Sequence, residues 1–337
     1  MKQTAVVILN YNGAGMLRRF LPSVIEYSPE ASIYVADNGS SDESCDVVRN
    51  EFPAVKLMVL DHNYGFAEGY NRALAQVDEE YAVLLNSDVE VTRGWLSPMT
   101  QFLDSNPEVA ACQPKLLSFK QKDFFEYAGA AGGFIDKWGY TFCRGRIFNT
   151  VERDSGQYDD TTDVFWATGA ALMIRNEVYK NNGGLDGRFF AHMEEIDLCW
   201  RLRSRGYRIA CVPQSHVYHV GGATLKKENP QKTYLNFRNN LLMIYKNAPD
   251  CQLKKIMLFR KVFDNVAALK FLASGNNAAF KAVRKARRDF KAMRSGYDKA
   301  RAENMKLTVT TRIPEVLKSS ILYKYYLGFK HTYSSLK

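Results

Sequence analysis

A single carboxylate follows an apolar run in the first third of the chain. Residues Tyr81–Leu85 are largely apolar, and the polar triplet Asn86-Ser87-Asp88 follows them directly. A short apolar run between polar turn residues is typical of a strand buried on both faces. Ligands of open α/β sheets bind beyond the carboxyl ends of such strands, and Mg²⁺ is usually held by one or two carboxylates together with substrate phosphates. Asp88 is therefore a candidate metal ligand, although Asn and Asp also favour such turns for local reasons.

Two upstream strands are predicted to place further polar groups at the same rim. The run Ala5–Leu9 leads into Asn10–Gly13, and the run Ile33–Ala36 leads into Asp37–Asp42. Helical patterns follow both runs, and a third predicted strand, Lys56–Leu60, leads into another polar segment. Strands that alternate with helices form βαβ units with a parallel sheet, so polar groups at the strand ends converge. This arrangement predicts a nucleotide site.

Other nucleotide and hydrolase motifs fit the sequence poorly. Gly13 and Gly15 begin a Gly-x-Gly-x-x-Gly pattern, but Arg18 occupies the third position, where close packing of helix and strand needs glycine. The sequence contains neither a Gly-x-x-x-x-Gly-Lys-Ser/Thr loop nor a Gly-x-Ser-x-Gly elbow. These observations argue against a dinucleotide enzyme, a P-loop NTPase and an α/β-hydrolase.

Four segments, in the expected order, resemble the amino-terminal motifs of glycosyltransferase family two. They are Leu9–Gly13, Asp37–Asp42, Asn63–Ala67 and Leu85–Asp88. The resemblance is greatest to the rhamnosyltransferase-like branch of bacterial surface polysaccharide biosynthesis, and it covers about residues 1–248. It implies the α/β GT-A fold, in which a Rossmann-like, mostly parallel sheet carries helices on both faces. The implied halves are a nucleotide-sugar-binding half, 1–114, and an acceptor-binding and catalytic half, 115–250.

Later segments extend this resemblance: Thr168–Arg175, Phe189–Arg201, His216–Gly222 and Phe237–Asn240. The second of them is similar to the acidic catalytic segment of the family. The family transfers a sugar from a nucleotide diphosphate donor with inversion at the anomeric carbon. Such a transfer needs an ionised base that takes the proton from the acceptor hydroxyl as it attacks.

The acidic segment supplies three candidate bases at the start of a predicted helix, Glu195–Arg205: Glu194, Glu195 and Asp197. Negative charge is favoured there by the helix dipole. The resemblance favours Glu195 as the base, but the family commonly has Asp at this position, so Glu194 and Asp197 remain alternatives. In a purely structural interpretation the acids only complement the dipole, and Asp197 pairs with Arg201 four residues later.

The resemblance also implies a metal site that uses Mg²⁺ or Mn²⁺. The family motif is most often Asp-x-Asp with the last Asp as the direct ligand, and that position is Asp88 in this chain. His219 is the candidate second ligand because imidazole often binds transition ions. His216 is the competing candidate, and a lone histidine is more often structural.

The strand-end motifs give the predicted nucleotide-binding residues. Asp37 is the candidate for recognising the base, because a carboxylate accepts the imide N–H that uracil and thymine share. Tyr11 is predicted to stack on that base, and Asn63 and Asn71 to face the ribose or diphosphate. The set is completed by Asn10, Asn12, Asn38, Gly65 and Asn86. The predicted donor is a UDP- or dTDP-sugar, and these residues do not separate the two.

The acceptor half is rich in aromatic residues. Trp138 is a candidate for stacking on an acceptor sugar, and Trp166 for the floor of the acceptor site. The alternative is that buried aromatics simply hold a glycine-rich insertion together.

The basic excess of the chain belongs to its last quarter. Residues 251–337 contain 20 basic and 5 acidic residues, whereas residues 1–250 contain 26 and 31. In a predicted amphipathic, helical tail, Ile256, Phe259, Phe263 and Val266 recur at helical spacing among lysines and arginines. Such a tail suits an anionic membrane surface, and no nucleic-acid-binding motif is present. The alternative is a solvated helical tail that packs on the core.

The sequence predicts a cytoplasmic enzyme at the inner membrane face. No apolar run reaches the ~18 residues of a membrane span, no signal-peptide pattern is seen, and six scattered cysteines fit free thiols. The expected activity is inverting, metal-dependent transfer of a hexose or rhamnose to a hydroxyl of a lipid-linked or growing glycan. The alternative is a catalytically silent, membrane-associated subunit that binds nucleotide.

Overall fold

The computed structural model describes residues 4–221 and 229–336, so Gly222 of the predicted closing turn lies outside the described residues. The strands are β1 (Thr4–Asn10), β2 (Ala31–Asp37), β3 (Lys56–Val59), β4 (Tyr81–Asn86), β5 (Val89–Val91), β6 (Val109–Ser118), β7 (Gly133–Asp136), β8 (Thr141–Cys143), β9 (Arg146–Ile147), β10 (Thr150–Val151), β11 (Thr162–Asp163), β12 (Ala171–Arg175), β13 (Arg208–His219) and β14 (Val316–Leu317). The helices are α1 (Ala14–Tyr27), α2 (Ser44–Glu51), α3 (Gly65–Leu74), α4 (Leu96–Ser105), α5 (Asn176–Asn181), α6 (Glu194–Ser204), α7 (Pro230–Asn247), α8 (Asp250–Ala273), α9 (Asn277–Met293), α10 (Asp298–Leu307) and α11 (Ile321–Tyr326).

The larger sheet places the predicted strand ends side by side. Its order is β11-β13-β6-β12-β4-β1-β2-β3, with β5 paired to β13. β1 pairs in parallel with β2 and β4, and β6 pairs in parallel with β13, whereas β12 runs antiparallel between β4 and β6. In this register Asn10 lies beside Asp37, and Leu9 lies beside Asn86. The mostly parallel α/β sheet therefore has the rim that the sequence predicts.

Two hydrophobic layers cover the faces of this sheet. Side chains of β1 alternate between them, since Ala5 and Val7 contact one layer and Val6 and Ile8 contact the other. Helices α1, α2 and α4 contribute to the layer of Val6, and helices α3, α6 and α7 contribute to the opposite layer. Burial on both faces explains why the strand sequences are continuous apolar runs.

A smaller sheet, with the order β10-β9-β8-β7-β14, joins the C-terminal region to the second half of the chain. β14 pairs in parallel with β7, with Val316 opposite Ile135. Beside this pair, a carboxylate oxygen of the buried Asp136 accepts a hydrogen bond from the backbone N–H of Ile321 at 2.9 Å. Backbone hydrogen bonds thus hold the last residues against residues 115–250.

The helical C-terminal region expected from the sequence is present and lies against the core. Helix α9 packs on α7 and α8, and α10 packs on α7. Tyr234 and Leu235 of α7 form a buried cluster with Ala282 and Ala286 of α9. Every helix of the described residues is either too short or too polar to cross a membrane.

Candidate active site

The ends of β1 and β2 form a hydrogen-bonded rim. Asn10 Nδ2 donates to Asp37 Oδ1 at 3.0 Å, and the backbone N–H of Ser40 donates to Asp37 Oδ2 at 2.9 Å. The hydroxyl of Ser40 accepts from the backbone N–H of Asn12 at 2.8 Å. Asp37 is buried, whereas the neighbouring Tyr11 is 47% exposed. The tyrosine ring is therefore accessible for the predicted stacking, and the carboxylate is fixed by its neighbours.

Asn38, Asn63 and Gly65 shape the start of α3. Asn38 Nδ2 donates to the Gly65 carbonyl at 3.0 Å, and Asn63 Oδ1 accepts from the Gly65 N–H at 2.8 Å. Gly65 has φ +75°, and a Cβ there would lie 2.7 Å from the carbonyl oxygen of Phe190, so glycine is required. That same carbonyl accepts from the N–H of Phe66 at 2.7 Å. The first turn of α3 therefore supports the loop that leads to the acidic segment.

Asn71 lies further along α3, and its side chain contacts residues 179 and 185. Its Oδ1 accepts from the hydroxyl of Tyr179 at 2.7 Å and from the N–H of Leu185 at 2.9 Å, and its Nδ2 donates to the Leu185 carbonyl at 2.8 Å. These bonds fasten α3 to the segment after α5. The contacts of Asn71 are thus structural in this structure, and its predicted contact with ribose or diphosphate remains a prediction.

Asp88 and His219 meet because β13 pairs with β5. His219 lies opposite Val89 in that pairing, one residue beyond Asp88. His219 Nε2 is 3.1 Å from Asp88 Oδ1 and 3.4 Å from Asn86 Nδ2, and both Asp88 and His219 are buried. The structure thus brings together the two residues that the sequence nominates as metal ligands.

Glu126 is a third residue beside this pair and its second carboxylate, and sequence reasoning missed it. Its Oε2 lies 3.3 Å from His219 Nδ1, on the side of the ring opposite Asp88. Burial alone would lower the pKa of His219, but the two carboxylates outweigh it and raise that pKa to about 10. Burial would raise the pKa of Asp88, yet its bond to His219 leaves that pKa below the usual value. Glu126 lies in an irregular segment without local pattern, so only the fold reveals it.

The donor set fits a divalent cation that shares its coordination with a substrate. A carboxylate and a neutral imidazole suit Mn²⁺ or Mg²⁺. Because a pKa of about 10 keeps His219 protonated at neutral pH, the cation would have to displace that proton on binding. Within residues 4–221 and 229–336, no group of three or more His, Cys, Asp or Glu side chains is arranged to hold a metal ion by itself. The remaining ligands would therefore come from diphosphate oxygens and water. A carboxylate behind the ring, as Glu126 is, orients a ligating histidine.

The loop before α6 has an unusual backbone and is held by one amide. Phe190, His192 and Met193 have positive φ angles of 67°, 72° and 76°. Such conformations are costly for residues other than glycine, so the surroundings must hold them. Asn239 Nδ2, buried in α7, lies 2.8–3.0 Å from the carbonyl oxygens of Phe189, Ala191 and His192. The clamp fixes the point at which the acidic helix begins.

Glu194 and Glu195 are the acidic groups with an open oxygen. Among the described residues, the buried Oε2 atoms of both side chains have no hydrogen-bond partner. Burial raises the pKa of Glu195 to about 7, and burial together with Glu195 raises the pKa of Glu194 well above its usual value. A carboxylate that titrates near neutral pH and has a free oxygen is suited to general-base chemistry.

The segment Gly169–Ala170 connects the acidic helix to the metal-ligand candidates. A Cβ on Gly169 would lie 3.8 Å from the Cβ of Glu195. The carbonyl of the next residue, Ala170, accepts from the backbone N–H of Asn86 at 3.0 Å, and Asn86 contacts His219. The candidate base and the carboxylate–imidazole pair therefore lie on the same rim of the sheet.

Asp197 has a different environment from its two neighbours. It is fully buried and accepts from Arg201 Nε at 3.1 Å, Lys246 Nζ at 2.7 Å and Asn247 Nδ2 at 2.7 Å. The pairing with Arg201 expected from the sequence is thus confirmed. Because cations and an amide occupy both oxygens, the geometry favours a structural role for Asp197 and leaves the base to Glu194 or Glu195.

The two tryptophans nominated for the acceptor site pack within the protein. Trp166 is 2% exposed and donates through Nε1 to the Phe134 carbonyl at 3.0 Å, so it belongs to the core and does not line an open site. Trp138 stacks on Phe259 of α8, with ring centroids 4.1 Å apart. The prediction of an acceptor-site floor at Trp166 is therefore corrected, and the structure favours the alternative of aromatics that hold the insertion together.

Comparison with known proteins identifies the family. The profile described as glycosyl transferase family 2 matches residues 5–183, which is more than half of the chain, and the protein therefore belongs to that family. It is 27% identical over 233 residues to N-acetylglucosaminyl-diphospho-decaprenol L-rhamnosyltransferase of Mycobacterium tuberculosis, a match that covers 64% of this chain and 75% of the relative. It is also 27% identical over 163 residues to rhamnosyltransferase WbbL of Escherichia coli, which covers 46% of this chain and 61% of the relative.

Solved structures show the same architecture. A crystal structure of GalNAc-T7 with UDP, GalNAc and Mn²⁺ superposes with a TM-score of 0.60 at 15% identity, covering 94% of this chain and 58% of that chain. At this identity the likeness concerns the fold. The predicted GT-A fold, and the prediction of a rhamnosyltransferase-like member of glycosyltransferase family two, are both confirmed.

Proposed function

We propose that this glycosyltransferase moves a sugar, with inversion, from a UDP- or dTDP-sugar to a hydroxyl of a lipid-linked or growing glycan in cell-surface polysaccharide synthesis. The observation that carries the proposal is the rim shared by an open, near-neutral carboxylate, Glu195, and the buried pair of Asp88 and His219. One side of such a rim can take up a proton, and the other can neutralise a diphosphate.

The mechanism assigns a role to each of these groups. The ionised Glu195 takes the proton from the acceptor hydroxyl while that oxygen attacks the anomeric carbon, and the bond to the diphosphate oxygen breaks on the opposite face. Mg²⁺ or Mn²⁺ held by Asp88 and His219 would supply positive charge to the departing diphosphate. Asp37 and Tyr11 hold the base of the nucleotide, and Asn10 keeps the Asp37 carboxylate in place.

The names of similar proteins support the finer points of the proposal. The Mycobacterium tuberculosis relative is by name a rhamnosyltransferase for an N-acetylglucosaminyl-diphospho-decaprenol, which is a lipid-linked acceptor. The GalNAc-T7 structure contains UDP and Mn²⁺. A lipid-linked acceptor also agrees with the basic excess of residues 251–337 and with our proposal of action at the inner face of the cytoplasmic membrane.

The test is a screen of UDP- and dTDP-sugars for nucleotide release in the presence of Mg²⁺ or Mn²⁺, with and without lipid-linked glycan acceptors. We expect release from one donor, loss of that release in Asp88→Ala, and no loss in Glu108→Gln, an exposed carboxylate that pairs with Arg208 at the opposite ends of β6 and β13 from His219. If every donor and acceptor is silent while UDP or dTDP still raises the melting temperature, the protein is a nucleotide-binding subunit and the proposal fails.

A further inference from the structure

Helix α8 buries an ion pair against the protein and exposes a row of aliphatic side chains. Its protein-facing side contains Arg260 and Asp264, both buried, in addition to Ile256 and Ala268. Arg260 Nε donates to Asp264 Oδ1 at 3.0 Å, and Arg287 of α9 donates to Asp264 Oδ2 at 2.7 Å. A helix on the surface of a water-soluble protein normally shows the reverse distribution.

The opposite side of α8 carries a stripe of exposed aliphatic side chains, which we call the outer stripe. It consists of Leu258, Val262, Val266, Leu269 and Leu272, whose side chains are 42–65% exposed. The spacings of four, four, three and three residues place them along one side of an α-helix. The stripe spans 15 residues, which is 14 steps or about 21 Å at 1.5 Å per residue. Isolated exposed leucines are ordinary, but a continuous stripe indicates a surface that something apolar covers.

The outer stripe continues onto α11. Lys270 Nζ lies 5.0 Å from the ring centre of Tyr326, so the end of α8 meets that helix. Tyr323, Leu327 and Phe329 are also exposed there. Tyrosine and lysine have apolar bodies and polar tips, and such residues suit the boundary between lipid headgroups and acyl chains.

Charge identifies the occupant of this surface. The outer stripe is flanked by the exposed lysines Lys254, Lys255, Lys261 and Lys270, in a region with 20 basic and 5 acidic residues. An anionic lipid surface attracts such residues by about 1 kcal/mol each. A second copy of this chain would instead bring two sets of lysines together, which disfavours a dimer through the same face.

We propose that the outer stripe of α8, together with the exposed residues of α11, binds the surface of an anionic membrane. The aliphatic side chains enter the headgroup boundary, and the flanking lysines contact lipid phosphates. The contact residues differ from those that the sequence pattern indicates, because Ile256 is buried and Phe259 stacks on Trp138. The inference rests on the proposed function only in that a lipid-linked acceptor would be presented at the same surface.

The experiment is co-sedimentation of the full-length chain with vesicles of phosphatidylcholine, with and without phosphatidylglycerol. The test variant is Val262→Ser/Val266→Ser/Leu269→Ser, and the matched control is Val59→Ser/Val309→Ser, which changes exposed valines elsewhere. We expect the intact chain and the control to bind vesicles that contain phosphatidylglycerol. The test variant should bind them at least about tenfold more weakly, because it lacks several methyl groups that would enter the lipid.

Further measurements make the result decisive. Lys254→Gln/Lys261→Gln should also weaken binding to the anionic vesicles, and unchanged circular dichroism would show that the variants fold. Donor-dependent nucleotide release without acceptor should be unaffected in every variant, so a failed membrane test is separate from a failed proposed function. The inference is overturned if the intact chain does not bind the anionic vesicles, or if the test variant binds them as well as the intact chain does. The inference is also overturned if sedimentation velocity shows that the intact chain is a dimer and that the test variant is a monomer.

Discussion

The buried position of the Glu195 side chain destabilises the folded state. This cost is the strongest argument at the residue scale for a role in the reaction. A carboxylate whose Oε2 is buried without a partner loses solvation and gains no compensating hydrogen bond. Asp197, two residues later, accepts from Arg201, Lys246 and Asn247 and shows how the same helix satisfies a structural carboxylate. In the proposed mechanism, the hydroxyl of the acceptor would supply the partner that the open oxygen of Glu195 lacks; Glu194, whose Oε2 is equally open, is the alternative.

The pKa of Glu195 sets the pH dependence of turnover. Because burial raises that pKa to about 7 and only the ionised form can accept a proton, kcat/KM should rise with pH through neutrality. Glu195→Gln should lower kcat by about 10²–10⁴-fold and leave donor binding intact. Glu194→Gln is the matched control, and a larger loss in that variant would transfer the role of base to Glu194. Steady-state kinetics from pH 5 to 9 (roughly the range spanned by carboxylate and histidine titration) provide the measurement.

The same shift has a consequence for stability. The folded-state pKa of Glu195 lies above its usual 4.5, so ionisation disfavours the fold and stability falls as pH rises from about 4.5 to about 7. Glu195→Gln removes this charge and should be more stable than the parent above pH 7 by on the order of 1–3 kcal/mol. The two proteins should be equally stable near pH 4. Urea unfolding at both pH values measures the difference, and a variant that is less stable at high pH contradicts the burial argument.

Glu126 is expected to act through His219. Its carboxylate lies 3.3 Å from Nδ1, which has no hydrogen bond of its own among the described residues, while Nε2 lies 3.1 Å from Asp88 Oδ1. Glu126→Gln should weaken Mn²⁺ binding by about 10–100-fold, the usual effect of losing such a partner. Electron paramagnetic resonance of Mn²⁺ in the presence of UDP reports this directly, with Glu108→Gln, an exposed carboxylate, as the control. Equal Mn²⁺ affinity in both variants would mean that Glu126 only shapes the loop.

At the scale of elements, α7 supports the loop that starts the acidic helix through Asn239, in addition to the bonds of Lys246 and Asn247 to Asp197. Asn239→Ala removes the amide that donates to the carbonyls of Phe189, Ala191 and His192, of which the Phe189 carbonyl keeps a bond from Arg238. This loss should destabilise the fold by about 2–3 kcal/mol. It should also lower kcat, because the loop that starts α6 loses its support. The control is Asn106→Ala, which removes a partly exposed amide that donates to a single carbonyl at the end of α4. This substitution should lower the stability of the fold by about 1 kcal/mol or less. Equal losses in the two variants would refute the clamp.

The elements also show which features a sequence can reveal. The apolar runs of β1, β2 and β4 predict the strands and their shared rim, because burial on both faces leaves a continuous signal. Periodicity in α8 predicts a helix with apolar residues, but it does not indicate which side faces the protein. Glu126 has no local signal, since its partner His219 lies 93 residues away. Asn239 lies in the segment Phe237–Asn240 that resembles the family, but the carbonyls it contacts lie 47–50 residues away, so its part in holding the loop is not visible in the sequence. Long-range contacts of this kind appear only once the chain is folded.

At the scale of the whole molecule, the basic C-terminal region is part of the folded body. β14 extends the smaller sheet, Ile321 donates to Asp136, and Asp264 links α8 to α9 through Arg260 and Arg287. The change in composition near residue 250 therefore marks a change in what the surface contacts, and it does not mark a boundary between independently packed parts. Membrane binding through α8 would then hold the catalytic half at a fixed orientation.

This integration makes a prediction about cooperativity. Asp264→Ala leaves Arg260 and Arg287 without their shared carboxylate in a buried position, which should cost about 3–5 kcal/mol. Trp138 stacks on Phe259 of α8 and Trp200 packs against the cluster that contains Ile256, so the comparison uses a Trp138→Phe/Trp200→Phe background. In it the fluorescence of Trp95 and Trp166 reports on the first 250 residues, whereas far-ultraviolet circular dichroism also reports on α8–α10. If the C-terminal helices and the core unfold together, both signals should shift to the same lower urea midpoint in the variant. If the circular dichroism transition instead comes at lower urea while the fluorescence transition is unchanged, the C-terminal helices unfold alone. Membrane binding through α8 would then not fix the orientation of the active site.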